Sequence, residues 1–153
     1  MISIREAALS DLEKVAELFD QYRCFYEQSS DLPLASRFIG ARIANNESVI
    51  LVAEGEGGEL AGFTQLYPSF SSISAAPTYV LNDLYVAKDR RRRGVGRALL
   101  EGARAVGKAR GAVALSLSTA EDNKNAQALY ESLGWVRDEV FRHYELSLAE
   151  ICT

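Results

Sequence analysis

The sequence predicts an α/β layered domain with the element order βααβββαβαβ. Segments with apolar residues at helical spacing alternate with short apolar and β-branched runs, and glycine- or asparagine-rich turns separate the two kinds. The length of 153 residues suits one domain, and 48% apolar with 25% charged residues is the composition of a globular protein with a full core. We therefore expect a single domain over residues 1–153.

The first three elements are a strand and two helices. Alternating residues 2–5 predict the strand. Ser10 and Glu13 stand at capping-box spacing and predict the start of the first helix. Pro33 predicts the start of the second helix, which ends near Asn45. The apolar positions of the first helix recur at helical spacing and are Leu12, Val15, Ala16, Leu18, Phe19 and Tyr22.

Three strands follow in the middle of the chain. Residues 48–54 and 60–67 are extended in character, and the glycine-rich turn at 55–58 predicts a hairpin between them. A polar loop over residues 69–77 then leads to a strand at 78–87.

The last four elements are a helix, a strand, a helix and a strand. Residues 94–109 predict a helix that Gly111 ends, and residues 113–117 a buried strand. A helix over residues 123–133 ends at Gly134, and residues 135–146 form the closing strand.

Charge and hydropathy exclude several classes of function. The net charge of −4 and pI of about 5.1 argue against a general nucleic-acid binder and suit cationic substrates. No apolar run approaches the roughly 18 residues that cross a bilayer, and the N-terminus lacks a signal-peptide pattern. We expect a cytoplasmic protein that binds neither membrane nor nucleic acid.

Few residues are available for metal or triad chemistry. Cys24 and Cys152 are the only cysteines and His143 is the only histidine. This set supports neither a disulfide framework nor a metal-ligand spacing, and a Ser/His or Cys/His triad would depend on His143 alone. We expect no metal site.

A basic loop before the third helix carries the strongest local signal. Four arginines at 90–93 are followed by Gly94 and Gly96 at the start of that helix. Free backbone N–H groups and the helix dipole favour a phosphate there, and glycines allow close approach. A dinucleotide fingerprint needs a third glycine where Leu99 stands, and the Gly-Lys-Ser/Thr of a nucleoside-triphosphate loop is missing. The pattern predicts a site for another phosphate-bearing ligand.

Two motifs together resemble the GNAT family of N-acetyltransferases. Arg91-x-x-Gly94-x-Gly96 after a strand is similar to that family's pyrophosphate-binding motif, and residues 123–135 are similar to its late helix. The resemblance runs from residue 2 to residue 146 in element order and length. It implies a mixed, mostly antiparallel sheet flanked by about four helices, and acetyl-coenzyme A as the cofactor. The cofactor-binding residues that it implies are Leu84, Tyr85, Val86, Arg91, Arg92, Arg93, Gly94, Val95, Gly96, Arg97, Asn123, Ala126 and Tyr130.

The resemblance also implies catalytic residues. Amine acetylation needs a deprotonated amine and a proton for the leaving thiolate. Asp83 is the candidate proton acceptor, or a contact that only attracts the cation. Tyr130 is the candidate proton donor to the sulfur, or a hydrogen-bond donor alone. Neither Cys24 nor Cys152 looks like a covalent acyl carrier, so we expect direct transfer in a ternary complex.

The nearest branch in resemblance contains diamine and polyamine acetyltransferases. That branch commonly has Glu-Asp where this chain has Asn82 and Asp83, which leaves the acceptor open. The candidate substrate-binding residues are Tyr26, Glu27, Asn82 and Asp83. Tyr26 and Glu27 are equally well explained as ordinary surface residues of the first helix. A small primary amine is the expected acceptor. The alternatives are a protein or peptide amine, or a non-catalytic acyl-coenzyme A sensor, and the family resemblance implies a homodimer.

Overall fold

The computed structural model describes residues 1–149 and divides the chain into two units, Met1–Ser118 and Thr119–Thr153. The first unit contains one sheet with the strand order β1-β2-β3-β4-β5. Neighbouring strands are antiparallel except β4 and β5, which are parallel. The strands are β1 (Ser3–Glu6), β2 (Val49–Glu54), β3 (Leu60–Ser71), β4 (Ala76–Val86) and β5 (Leu115–Ser116).

Helices cover both faces of this sheet. α1 (Leu12–Phe25) and α2 (Leu32–Ala44) pack on one face, and α3 (Val95–Ala109) packs on the other. The second unit contains α4 (Lys124–Ser132). The α/β class with a mostly antiparallel sheet and four helices is confirmed. In residues 1–149, no helix is both long and apolar enough to cross a membrane.

The core is divided between the two faces. Alternation along each strand sends Ile50, Val52 and Phe63 toward α1 and α2. The opposite face is closely packed: a Cβ on Gly62 would lie 2.6 Å from the Tyr85 carbonyl oxygen of β4, and one on Gly102 of α3 would lie 2.7 Å from a methyl of Ile4. Glycine at these two positions is therefore a packing requirement.

A β-bulge interrupts β4 at Asn82. Gln65 pairs with Asp83, whereas the next residue of β3, Leu66, pairs with Leu81. Asn82 is the extra residue, so Leu81 and Asp83 lie on opposite faces although they are two positions apart. Asp83 thereby shares a face with Gln65, on the side of α1 and α2.

The predicted helix start at Ser10 and Glu13 is wrong. The N-cap of α1 is Asp11, whose side chain makes no cap bond to that helix. Its carboxylate instead accepts the Ala8 N–H at 2.7 Å and is paired with Arg5. The ion pair between Arg5 and Asp11, in place of a side-chain cap bond, thus fixes the direction in which the chain enters α1.

The hairpin of β3 and β4 is longer than predicted. The residues expected as a polar loop, 69–77, are largely strand, and only 72–75 remain as a turn. Polar residues form strand here because cross-strand pairing supplies the stabilisation. The predicted buried strand at 113–117 is short: β5 has two residues, and Val113 is 58% exposed.

The predicted closing strand at residues 135–146 is absent from the described residues. A strand needs a ladder partner, and among the described residues the structure pairs none with residues 135–149. Trp135 is half-buried, and the exposed large apolar side chains of this segment are Val136, Val140, Phe141, Tyr144, Leu146 and Leu148.

Candidate functional site

A buried carboxyl lies in the middle of the sheet. Asp83 is 2% exposed, and its Oδ2 accepts a hydrogen bond from Gln65 Nε2 at 2.6 Å. Burial raises the pKa of Asp83 to about 6, and the Gln65 bond acts in the opposite direction. Within residues 1–149, no donor is assigned to Oδ1. Asp83 is therefore a carboxyl that can gain or lose a proton near neutral pH.

Aromatic side chains of α1 lie next to the bulge. The Tyr22 hydroxyl donates to the carbonyl of Asn82 at 3.2 Å. The Tyr22 ring contacts two other rings edge-on, with its centroid 5.1 Å from that of Tyr26 and 6.4 Å from that of Tyr85. Two predicted substrate-binding residues, Tyr26 and Asn82, are thus brought together through Tyr22.

Glu27 is placed differently from the other predicted substrate residues. It follows the end of α1 with a φ of 65°, and its side chain is exposed. Within residues 1–149, no hydrogen bond or ion pair links its carboxylate to Asn82 or Asp83. A role for Glu27 in substrate binding stays a prediction.

The basic loop before α3 has an unusual backbone. After a short 3-10 helix at Lys88–Arg90, Arg92 has a φ of 65° and Gly94 a φ of 77°. Gly94 is the N-cap of α3 and makes no side-chain cap bond. The first-turn N–H groups, which include those of Val95 and Gly96, have no intrahelical partner. Residues with left-handed backbone that follow residues with right-handed or extended backbone turn successive N–H groups toward one concave surface. A concave surface lined by N–H groups can bind an anion.

The arginines of this loop differ in their contacts. Arg90 pairs with Glu59 at 3.3 Å. Arg91 donates from Nε to the Val86 carbonyl at 3.1 Å, and its guanidinium lies over the rings of Tyr85 (5.5 Å) and Phe25 (5.9 Å). Arg92, Arg93 and Arg97 are exposed. The first arginine of the motif is thus engaged with β4 and α1, and the exposed ones add positive charge around the loop.

The strand before the loop offers backbone groups. β4 pairs with β5 only at Tyr79 and Val80. Among the described residues, no strand continues beside the predicted cofactor-binding positions Leu84, Tyr85 and Val86 on that side of β4. This exposed edge can bind an extended ligand by strand-like hydrogen bonds.

The second unit holds the remaining predicted residues. Asn123 is the N-cap of α4, and its side-chain oxygen accepts the Ala126 N–H at 3.4 Å. The ring of Tyr130 lies 6.1 Å from that of Trp135. The capping bond explains Asn123 at this position by local structure, and the cofactor role of Asn123, Ala126 and Tyr130 stays a prediction.

Sequence reasoning missed Gln65 and Ser48. Gln65 is fully buried, and its Oε1 accepts a hydrogen bond from the Ser48 hydroxyl at 2.7 Å. Both residues stand in extended segments without a motif around them. A glutamine within an otherwise apolar run was the available signal, since a buried amide requires partners.

Similar proteins carry the same fold and family. An uncharacterized N-acetyltransferase of Bacillus subtilis (strain 168), YhfO, is 48% identical over 147 residues, which cover 96% of this chain and 98% of that protein. A probable acetyltransferase of Haemophilus influenzae (strain ATCC 51907 / DSM 11121 / KW20 / Rd) is 28% identical over 142 residues, or 91% and 93% of the two chains. The crystal structure of a probable acetyltransferase superposes with a TM-score of 0.92 at 40% identity and covers 97% of this chain and 99% of that one.

The family assignment rests on both sequence and structure. The model of the Acetyltransferase (GNAT) family matches residues 12–135, which include β2, β3, β4, the basic loop and α4. With a relative 48% identical over nearly the whole chain, this match identifies an acyltransferase. The chain belongs to the GNAT family of acetyltransferases.

Proposed function

We propose that this protein transfers an acetyl group from acetyl-coenzyme A to the primary amine of a small molecule, by direct attack in a ternary complex. The observation that carries the proposal is Asp83, a buried carboxyl with a pKa raised to about 6 beside an aromatic group of α1. Family membership supports acetyl transfer to an amine. The structure supplies the argument for the acceptor.

Asp83 is suited to take a proton from the acceptor. A free alkylammonium has a pKa of about 10.4 and cannot attack until it loses a proton. A carboxylate with a pKa near 6 is a stronger base than one near 4, and it is ionised at neutral pH. In the step we propose, the proton passes to Asp83 through water and the amine nitrogen bonds to the thioester carbonyl carbon. The carbon–sulfur bond then breaks, the attacking nitrogen gives up its second proton to become the amide, and the leaving thiolate takes up a proton, so the one proton released overall is that held by Asp83.

The aromatic rings near the bulge support a cationic acceptor. Tyr22, Tyr26 and Tyr85 form a cluster of ring faces and edges, and Tyr26 is 56% exposed. Ring faces attract alkylammonium groups, and the negative charge of Asp83 adds to this attraction. Asn82 brings an amide where the diamine and polyamine branch commonly has a carboxylate. We therefore place the acceptor among small amines and leave the number of its charges to experiment.

The basic loop and the edge of β4 fit coenzyme A. The cofactor supplies the activated acetyl thioester. The left-handed backbone at Arg92 and Gly94 and the free N–H groups of α3 suit its pyrophosphate, with Arg93 and Arg97 adding charge. Leu84, Tyr85 and Val86 would hold the pantetheine arm through their backbone groups, one of them facing the thioester oxygen.

Tyr130 is our candidate for the group that meets the leaving sulfur. A phenol donates a hydrogen bond to a thiolate, and full transfer of its proton is uphill because the phenol pKa near 10 exceeds the thiol pKa near 8.5. We expect Tyr130→Phe to lower kcat markedly and to leave acetyl-coenzyme A affinity nearly unchanged. An unchanged kcat would remove Tyr130 from the mechanism.

A thiol-release assay with acetyl-coenzyme A tests the proposal. The panel contains diamines, polyamines, amino sugars, amino acids and basic peptides, and we expect turnover with a small amine. Turnover with peptides alone would assign the acceptor to proteins. Tight acetyl-coenzyme A binding without turnover across the panel would favour a sensor, and a ping-pong kinetic pattern would contradict direct transfer.

A further inference from the structure

A row of hydrogen bonds crosses three neighbouring strands and ends at Asp83. Ser48 directly precedes β2, Gln65 lies in β3, and Asp83 lies opposite Gln65 in β4. The Ser48 hydroxyl donates to Gln65 Oε1 at 2.7 Å, and Gln65 Nε2 donates to Asp83 Oδ2 at 2.6 Å. The row connects the partly exposed Ser48 with a carboxyl that is 2% exposed.

The two ends of the Gln65 amide have different roles. Its oxygen only accepts hydrogen bonds and its nitrogen only donates them. Because Ser48 donates to the oxygen, the nitrogen faces Asp83. A donor aimed at a carboxylate favours the ionised form, so this orientation opposes the effect of burial on Asp83.

The surroundings of Asp83 contain no other group that could take this role within residues 1–149. Tyr67 of β3 is a titratable side chain that interacts with Asp83: burial raises the pKa of Tyr67, and the negative charge of Asp83 raises it further. Arg42 of α2 and Glu47 after it act on Tyr67 with opposite signs. From α1, the Tyr22 hydroxyl donates to the Asn82 carbonyl, and the Tyr22 ring contacts that of Tyr85. Gln65 therefore supplies the contact that favours the charged form of Asp83.

We propose that Gln65 is a positioning residue which, oriented by Ser48, holds Asp83 in its proton-accepting form and so sets the lowest pH at which the acetyl transfer proceeds. This inference rests on the proposed function for its consequence in catalysis. Its physical part, the effect of Gln65 on the ionisation of Asp83, is measurable without turnover.

The decisive variant is Gln65→Met, which keeps the size of the side chain and removes the donor. The ionisation of Asp83 is followed by carbon NMR of labelled aspartate carboxyls, with Asp83→Asn used to assign the signal. We expect the midpoint for Asp83 to move upward by about one pH unit. The acid limb of the pH profile of kcat/KM should move upward by the same amount, since that limb reports the free enzyme. An unchanged midpoint in both measurements would overturn the proposal.

Ser48→Ala provides a second variant at the outer end of the row. Ser48 is partly exposed, so its truncation leaves the fold intact. Without this donor the Gln65 amide loses its fixed orientation, and we expect a smaller upward shift in the same direction. A shift downward would contradict the orienting role of Ser48.

Thr64→Val is the matched control. Thr64 is as fully buried as Gln65, and its hydroxyl donates to the backbone carbonyl of Asp83 at 2.7 Å. The variant should lower thermal stability and leave the Asp83 midpoint in place. A shift as large as that of Gln65→Met would show that loosening of the sheet causes it, and would reject a specific role for Gln65.

The two readouts separate this inference from the proposed function. If the wild type transfers no acetyl group but the NMR midpoint moves in Gln65→Met, the proposed function fails and the effect of Gln65 on Asp83 stands. If the enzyme is active and the midpoint stays in place, only the role of Gln65 fails.

Discussion

The carboxyl of Asp83 and the basic loop of residues 88–94 are near neighbours along the chain, yet they depend on different parts of the molecule. The state of Asp83 depends on burial and on Gln65 and Ser48, which come from other strands. The backbone of the loop is set mainly by local residues, with left-handed conformation at Arg92 and Gly94 and a helix starting directly after it, while Arg90 and Arg91 add contacts to Glu59 and to α1. The chemistry of a buried group is thus a property of the whole sheet, whereas an anion site of this kind is a property of a short segment.

Asp83→Asn should have the largest effect on activity of the variants considered. It tests the site whose properties depend on the whole sheet. The amide keeps the shape of the side chain but cannot accept a proton, so we expect kcat/KM to fall by about 10²- to 10⁴-fold. The acid limb that we expect for the wild type near pH 6 should also disappear, because we assign this limb to Asp83. Steady-state kinetics from pH 5 to about 9 measure both.

Asp31→Asn is the control for that variant. Asp31 caps α2 by accepting the Leu34 N–H, and asparagine caps a helix equally well. It should leave kcat/KM unchanged. An equal loss in both variants would show that the effect does not come from proton transfer at Asp83.

The same substitution at Asp83 should change stability with pH. The folded-state pKa of about 6 lies above the unfolded value of about 3.9, so the folded protein holds the proton more tightly. The stability that this provides is complete below about pH 4 and is lost as the pH rises through about 6. Relative to wild type, the free energy of unfolding of Asp83→Asn should therefore rise by up to about 3 kcal/mol between pH 4 and 8. Urea unfolding at several pH values measures the difference, and a constant difference would contradict the raised pKa.

Gly94→Ala tests the basic loop of residues 88–94, whose backbone is determined mainly by local residues. A Cβ at Gly94 meets nothing within 4 Å, so the cost comes from the φ of 77° alone. We expect a stability loss of about 1 kcal/mol. We also expect acetyl-coenzyme A to bind about tenfold more weakly, because the loop must shift its N–H groups to relieve the strain. Calorimetric titration with acetyl-coenzyme A measures the affinity.

Gly111→Ala is the matched control at the other end of α3. Gly111 has the same φ of 77°, and a Cβ there also meets nothing within 4 Å. Its stability loss should equal that of Gly94→Ala, with no change in cofactor affinity. Equal affinities in the two glycine variants would remove the loop from cofactor binding.

The smallest expected effect concerns the strain at Arg92. Both Arg92→Gly and Arg92→Ala remove the charge, but only glycine adopts a φ of 65° without a steric cost. Arg92→Gly should be more stable than Arg92→Ala by about 1 kcal/mol in thermal unfolding. Equal stabilities would show that the loop relaxes freely and that its left-handed backbone is not held in place.

The sequence allowed prediction of the elements whose signals are local. Pro33 correctly marked the start of α2, and Gly111 marked the end of α3. The extent of strands was harder to predict, because it depends on the pairing of residues far apart in the chain. The hairpin of β3 and β4 extends through polar residues for this reason, and residues 135–146 have no ladder partner among the described residues.

The same division holds for the candidate site. The basic loop could be predicted from the Arg91-x-x-Gly94-x-Gly96 motif. Asp83 could be selected by resemblance, but its burial and its pKa could not be predicted, since both depend on packing. Gln65 was missed because register, and no motif, places it opposite Asp83.

The bulge at Asn82 affects how β4 can vary in length. Removing Asn82 itself would leave Leu81 opposite Leu66 and Asp83 opposite Gln65, because Asn82 is the extra residue of the bulge. Removing or adding one residue between Asp83 and the end of β4 would instead exchange inward and outward positions along the rest of the strand, and would either bury polar side chains or expose apolar ones. An insertion in the turn at residues 72–75 would leave every pair of the ladder unchanged. We therefore expect that chains descended from a common ancestor with this one differ in length at the tip of the hairpin, while the spacing from Asp83 to the arginines of the loop stays fixed.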